Sequence, residues 1–103
     1  MRCRQPEPIP EEVRRTADLL ERRLTLSILY ASVQGAERVN EFLAALGPVP
    51  PTTLSARLTE LVEAGLLERR VLDTKPPGVQ YRLTPLGMRF KPLVQALGRC
   101  SCV

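Results

Sequence analysis

The spacing of apolar residues divides the chain into helical and extended segments. From Glu11 to Gln34 the sequence has no Gly or Pro, and apolar side chains recur every three or four residues, which predicts helix throughout this stretch. The main apolar series is Val13, Ala17, Leu20, Leu24, Ile28 and Ala31. In the later half of this stretch there is a second apolar series, which predicts that this half of the helix is buried on more than one side. The pattern allows one long helix or two helices joined near residues 21–23.

Proline and glycine mark the ends of two further helices. A short helix is predicted over Val39–Leu46, with Gly47 ending it. Pro51 suits the first turn of a helix, because the N–H that proline lacks has no partner there, so the next helix is predicted over Pro51–Ala64. Two helices joined by a short turn that contains Gly are typical of a helix-turn-helix.

The rest of the chain predicts a hairpin and a last helix. Leu66–Val71 and Val79–Thr84 are short, rich in Leu, Val and Tyr, and separated by a turn-forming sequence, which predicts two antiparallel strands. Pro85 follows Thr84, a good N-cap residue, so a helix should run from there to about Leu97 with a kink at Pro92. The order of elements predicts a winged helix-turn-helix: mainly α with a small β-hairpin, an α+β fold in which the hairpin is the wing.

Length and composition indicate one globular domain. A chain of 103 residues, 44% hydrophobic and 25% charged, has room for a single core. Residues 1–10, with three alternating prolines, predict a flexible arm; residues 11–98 form the expected domain, and residues 99–103 a C-terminal tail. No uncharged apolar stretch approaches the ~20 residues of a membrane span, so we expect a cytoplasmic protein with no membrane partner.

The net charge of +4 is unevenly distributed along the chain. Residues 1–56 carry 7 Lys and Arg against 7 Asp and Glu, whereas residues 57–103 carry 8 against 4. The second part therefore favours an anionic partner.

On the helix predicted over Pro51–Ala64, Leu54, Leu58 and Leu61 share one face, so the opposite face should be exposed. Small and hydrogen-bonding side chains at the N-terminal end of that face suit the major groove. The predicted DNA contacts on this helix are Thr52, Thr53, Ser55, Ala56 and Arg57, with Arg57 expected to be the strongest. On or beside the wing they are Arg69, Arg70, Lys75 and Arg82. The alternative is a solvated helix face beside edge-strand charges that keep the protein soluble.

Two stretches carry a resemblance to a known family. Residues 53–70, TLSARLTELVEAGLLERR, and residues 79–87, VQYRLTPLG, resemble the recognition helix, the wing strands and the start of the last helix of HxlR-type winged-helix regulators, relatives of the MarR group. The resemblance extends from about Ala17 to Leu97. It implies a homodimer that forms through the first and last helices and binds a pseudo-palindromic operator in double-stranded DNA, as a repressor.

For the dimer interface the resemblance implies a set of apolar residues on the first and last helices. These are Val13, Leu20, Phe90, Leu93, Val94 and Leu97. Their alternative role is in the core of a single chain. The chain also departs from the family pattern: residues 21–24 read Glu-Arg-Arg-Leu where the family has Gly-Gly-Lys-Trp, and Pro50 replaces a Ser. The recognition helix therefore either lacks its usual N-cap or begins at Thr52.

The cysteines lie near the chain ends: Cys3, Cys100 and Cys102. Some members of the family sense oxidants through an N-terminal cysteine, so a redox-sensitive disulfide between Cys3 and one of the other two is one hypothesis; unreactive thiols are the alternative. Three cysteines without any histidine make a poor metal site, and no cofactor is expected.

Neither an enzyme nor a contact module is favoured. The sequence has no histidine, phosphate-binding loop or nucleophile motif, so we expect no catalysis. A winged helix used for protein–protein contact would predict an acidic or apolar recognition face, which the polar residues 52–57 disfavour.

Overall fold

A computed structural model describes residues 6–100 and has the predicted winged-helix architecture. Within this range there are six helices and one two-stranded antiparallel sheet. In chain order the elements are α1 Glu11–Leu20, α2 Thr25–Val33, α3 Val39–Leu46, α4 Pro51–Glu63, β1 Leu67–Leu72, β2 Gly78–Leu83, α5 Pro85–Met88 and α6 Lys91–Cys100. Residues 6–10 form no helix or strand.

The first helical stretch is two helices, which settles the alternative that the sequence left open. α1 ends where the Glu21 N–H donates to the Ala17 carbonyl at 2.8 Å. Leu24 then adopts the left-handed conformation, with φ of 74°, which non-glycine residues rarely occupy and which no continuous helix contains. The turn at residues 21–24 therefore redirects the chain between α1 and α2.

The core lies among α2, α3, α4, α6 and the start of β1. Its buried apolar members are Ile28, Leu29, Ala31, Phe42, Leu54, Leu58, Leu61, Leu66, Leu67 and Val94. Ile28 and Ala31 belong to the first apolar series and Leu29 to the second, so α2 is buried on more than one side, as the sequence predicted. α4 contributes three leucines one or two turns apart, so its position is fixed by burial of one whole face.

The hairpin has a continuous register from Leu67 opposite Leu83 to Leu72 opposite Gly78. Two further backbone hydrogen bonds start from β2 and the residue after it. The Thr84 N–H donates to the Leu66 carbonyl at 3.0 Å, and the Tyr81 N–H donates to the Glu37 carbonyl at 2.7 Å. The first bond extends the pairing of the two strands by one residue, and the second joins β2 to the loop before α3.

The last helix is broken rather than kinked, which corrects the prediction of a bend at Pro92. α5 begins at Pro85, capped by the Thr84 hydroxyl, which accepts from the Gly87 N–H at 3.0 Å. α5 ends at Met88, and α6 begins at Lys91. Pro92 has no N–H to continue the hydrogen-bonding pattern, so the chain breaks before it and Pro92 lies in the first turn of α6, where that N–H is not needed. α6 continues past the predicted end near Leu97 to Cys100.

Candidate nucleic-acid interface

The outer face of α4 carries small side chains at its N-terminal end. Because Leu54, Leu58 and Leu61 are fully buried, the opposite face is left to solvent. Three of the predicted DNA contacts are exposed there and a fourth is half-buried: Thr52, Ser55 and Ala56, with Thr53 at the side. α4 begins at Pro51 and has no side-chain N-cap hydrogen bond, so hydrogen-bonding capacity remains at the end that carries these residues.

Arg57 lies at the side of α4 and is engaged within the protein. Its Nε donates to the Arg23 carbonyl at 3.0 Å, and its NH1 group donates to Glu60 Oε2 at 3.1 Å. Only 18% of its side chain is exposed. The sequence predicted Arg57 as the strongest DNA contact, but the structure places its guanidinium between α4 and the 21–24 turn.

Glu60 also joins α4 to the 21–24 turn through a second arginine. Arg22 donates from NH2 to Glu60 Oε2 at 2.9 Å, across 38 positions of sequence. Sequence reasoning did not connect these residues, because no local spacing relates a turn before α2 to the last turn of α4. The only available signal was the arginine pair that stands where the family has Gly-Lys.

The wing arginines fall on different faces of the hairpin. Side chains of a strand alternate between the two faces. Arg82 lies opposite Glu68 in the register, and Arg70 lies two residues from Glu68, so Arg70 and Arg82 share a face. Arg69 lies opposite Tyr81 on the other face. All three arginines are exposed, but the structure brings only Arg70 and Arg82 together.

Lys75 lies at the wing tip, where its side chain is exposed. The tip turn is closed by Thr74, whose hydroxyl donates to the Pro76 carbonyl at 2.8 Å. The wing therefore presents the positive charge of Lys75 at its tip.

Glu37, in the loop before α3, holds the base of the wing. Its Oε1 accepts from Gln80 Nε2 at 2.8 Å, and its Oε2 lies 3.4 Å from Arg82 Nε. Together with the backbone bond from the Tyr81 N–H, these contacts fix β2 against the helices. The sequence did not single out Glu37, since its partners are some forty residues away.

Glu41 caps the N-terminal end of α3. Its Oε1 accepts from the backbone N–H groups of Glu37 and Arg38 at 2.8 and 2.9 Å. These two bonds favour the ionised carboxylate and hold the pKa of Glu41 below its ordinary value of 4.5. The cap orders the loop from which Glu37 reaches the wing.

The residues predicted for a dimer interface divide into three groups by their exposure. On α1 and α6, three are exposed: Val13 at 51%, Leu93 at 41% and Leu97 at 38%. Leu20 and Phe90 are half-buried against the core. Val94 is fully buried, so the structure assigns it to the core of its own chain, the alternative role that the sequence left open.

Cys100 is an exposed free thiol at the end of α6, whereas Cys3 and Cys102 lie outside the described residues. Within residues 6–100, no group of three or more Cys, Asp or Glu side chains is arranged to hold a metal ion. In the same range, no helix combines the length and apolar character needed to cross a bilayer.

A family model described as HxlR-like helix-turn-helix matches residues 19–101. An HTH-type transcriptional regulator of Mycobacterium bovis is 40% identical over 77 residues, which are 75% of this chain and 48% of that protein. Another, from Synechocystis, is 31% identical over 85 residues, 82% of this chain and 63% of that protein. The chain thus spans from about half to just under two thirds of the length of these relatives.

The fold comparison agrees with the sequence comparison. The solved structure of the redox regulator HypR in its reduced form is similar to this chain with a TM-score of 0.78 and 28% identity. The similarity covers 86% of this chain and 88% of that one.

Proposed function

The chain belongs to the HxlR-like helix-turn-helix family, and we propose that it acts as a homodimeric transcriptional repressor that binds double-stranded DNA. In this proposal α4 enters the major groove, and the wing contacts the backbone or the adjacent minor groove. The observation that carries it is the placement of small exposed side chains on α4 beside a hairpin with exposed arginines.

The N-terminal half of α4 suits close approach to base edges. Thr52 and Ser55 can donate or accept hydrogen bonds, and Ala56 offers a methyl group. Short side chains allow a helix to lie deep in the groove. The positive end of the helix dipole is at the same end and favours nearby phosphates. Arg57 supports this face as a positioning residue, since its contacts with Arg23 and Glu60 hold α4 against the 21–24 turn.

The wing supplies cations where a neighbouring backbone would lie. Arg70 and Arg82 share one face, and Lys75 extends from the tip. Phosphate contacts of this kind set register and contribute affinity that does not depend on sequence. Arg69, on the other face of the wing, is proposed to contact DNA at the edge of the interface.

A second copy of the chain supports operator recognition. α1 has no buried residue, and exposed Val13 together with Leu93 and Leu97 of α6 offers apolar surface that a partner would cover. Twofold symmetry then predicts a pseudo-palindromic operator whose half-sites lie about one helical turn apart.

A gel-shift experiment with DNA from upstream of the protein's own gene, run with nonspecific competitor at two salt concentrations, tests the proposal. We expect specific binding that weakens steeply with salt. Ala56→Glu, which places an acid on the outer face of α4, should abolish it. Ala64→Glu, the same change at the C-terminal end of the helix, is the matched control and should retain it.

Two outcomes would contradict the proposal. One is a folded dimer that binds no upstream fragment specifically; that result would favour a winged helix used for protein contact. The other is an Ala56→Glu variant that binds as tightly as the unchanged protein, since it would show that α4 does not enter the groove.

A further inference from the structure

Three charged side chains meet where α4 contacts the 21–24 turn, and we call Arg22, Arg57 and Glu60 the Glu60 cluster. Both arginines donate to the same carboxylate oxygen, Oε2, at 2.9 and 3.1 Å. The other oxygen, Oε1, is buried and has no hydrogen-bond partner among the residues that the structure describes. With two arginines and one carboxylate, the cluster has a net charge of one positive unit.

The two arginines are held unequally. Arg57 has a second hydrogen bond, to the Arg23 carbonyl, and its side chain is only 18% exposed. Arg22 is 50% exposed, and Glu60 is its one ion-pair partner within residues 6–100. Exposed ion pairs contribute little to stability, because solvent screens them. Arg22 can therefore leave the cluster at low cost, whereas Arg57 keeps α4 in place.

The 21–24 turn lies beside the helix that is proposed to enter the groove. A helix in the major groove has a sugar–phosphate backbone on each side. The Arg57 to Arg23 hydrogen bond of 3.0 Å shows that the turn directly flanks α4. Arg22 and Arg23 are both exposed in this turn.

We infer that Arg22 is a DNA-phosphate contact that Glu60 holds in the free protein and that transfers to a backbone phosphate on binding. The inference rests on the proposed function and adds a contact that lies outside both α4 and the wing. A phosphodiester offers two anionic oxygens, which match the guanidinium fork. After the transfer, Glu60 retains Arg57, so α4 stays braced while Arg22 engages DNA.

The experiment compares the salt dependence of DNA binding in five proteins: unchanged, Arg22→Gln, Arg22→Lys, Arg15→Gln and Glu60→Gln. Arg15 is the matched control, because it forms an exposed ion pair with Glu11 on α1 at 2.7 Å and its loss changes the charge equally. Binding to the upstream fragment and to a random 30-base-pair duplex is followed by fluorescence anisotropy between 50 and 200 mM NaCl. Thermal unfolding of each variant is measured in parallel.

Arg22→Gln should make the slope of log affinity against log salt shallower by about 0.9, the value for one lost phosphate contact. Arg22→Lys keeps the charge and should keep the slope, and Arg15→Gln should leave it unchanged. Glu60→Gln removes the competing negative charge but keeps a side-chain oxygen that can accept from Arg57, so it should tighten binding by about two- to fivefold.

An unchanged slope in Arg22→Gln, or no tightening in Glu60→Gln, overturns the inference while the proposed function stands. In that case a lower thermal midpoint for Arg22→Gln would show that the arginine only braces the turn. If the unchanged protein binds neither duplex, the proposed function itself fails and the inference with it.

Discussion

α1 and α4 carry the same kind of apolar stripe, but the chain buries only one of them. On α4, Leu54, Leu58 and Leu61 are fully buried. On α1 no residue is buried, and Val13 is 51% exposed. Periodicity thus predicts that a helix face needs cover without saying whether the same chain or a second copy provides it.

Differences at the helix ends do not explain this contrast. Both helices follow a proline, Pro10 or Pro50, and neither has a side-chain N-cap hydrogen bond. What separates them is what lies against the apolar face. α4 packs against core residues of α2 and β1, whereas only the last turn of α1 packs partly against the core, through Leu19 and Leu20, and Val13 near its start stays exposed.

The largest effect is expected from removing a buried side chain of α4. Leu58→Ala should lower the free energy of unfolding by about 2–5 kcal/mol, because it leaves a cavity in the core. Thr59→Ala, at the exposed neighbouring position, should stay within about 0.5 kcal/mol. Chemical denaturation at one fixed protein concentration measures both. A loss below 1 kcal/mol for Leu58→Ala would contradict the central place of α4 in the core.

A polar residue on the α1 stripe should affect assembly more than folding. Val13→Gln is expected to weaken dimerisation about tenfold, the effect of losing an apolar contact of about 1.4 kcal/mol in an interface. Arg14→Gln, on the neighbouring polar side, should leave dimerisation unchanged. Sedimentation velocity over a range of concentrations measures the monomer–dimer equilibrium. If Val13→Gln and the unchanged protein dimerise equally, the α1 stripe does not form the interface.

The smallest effect is expected at a helix end, where a cap replaces burial as the stabilising contact. The pKa of Glu41 is lowered in the folded protein. The ionised side chain therefore stabilises the fold above the pKa of the unfolded state, and this stabilisation is lost as pH falls through the pKa of the folded state. Glu41→Gln should lower Tm by a few degrees at most at pH 7, and the difference from the unchanged protein should shrink below pH 4.5.

Thermal unfolding at several pH values, with Glu63→Gln as the control for losing one carboxylate, checks the prediction at Glu41. A Tm difference that persists unchanged at pH 2 would show that the carboxylate charge is not what stabilises the end of α3.

Local signals predicted most of the fold. Pro51 starts α4 and Gly47 ends α3 as expected, because both effects depend only on the backbone of one residue. The break before Pro92 was predicted as a kink, since whether a chain bends or separates at proline depends on what packs against each half. The register of the two wing strands was not predicted, because it depends on pairing along the whole hairpin.

The candidate site was less predictable than the fold. The sequence identified the arginines, but the partners of Arg82 and Arg22 lie in other elements, and so does the Arg23 carbonyl that accepts from Arg57. Glu37 and Glu60 decide which of these cations are held within the protein. Glu60 follows Arg57 by three residues on α4, but no local spacing relates Glu60 to Arg22 or Glu37 to Arg82. A charge run therefore predicts basic surface without predicting which charges are free.

The sequence by itself determined where the helices and strands lie and which faces are apolar, because turn chemistry and periodicity are local properties of the backbone. The tertiary structure alone decided that Val94 is core, that Leu24 turns the chain between α1 and α2, and that Arg57 faces the 21–24 turn. These outcomes depend on which surfaces meet across the chain. That choice is made by packing in three dimensions, where residues distant in sequence become neighbours.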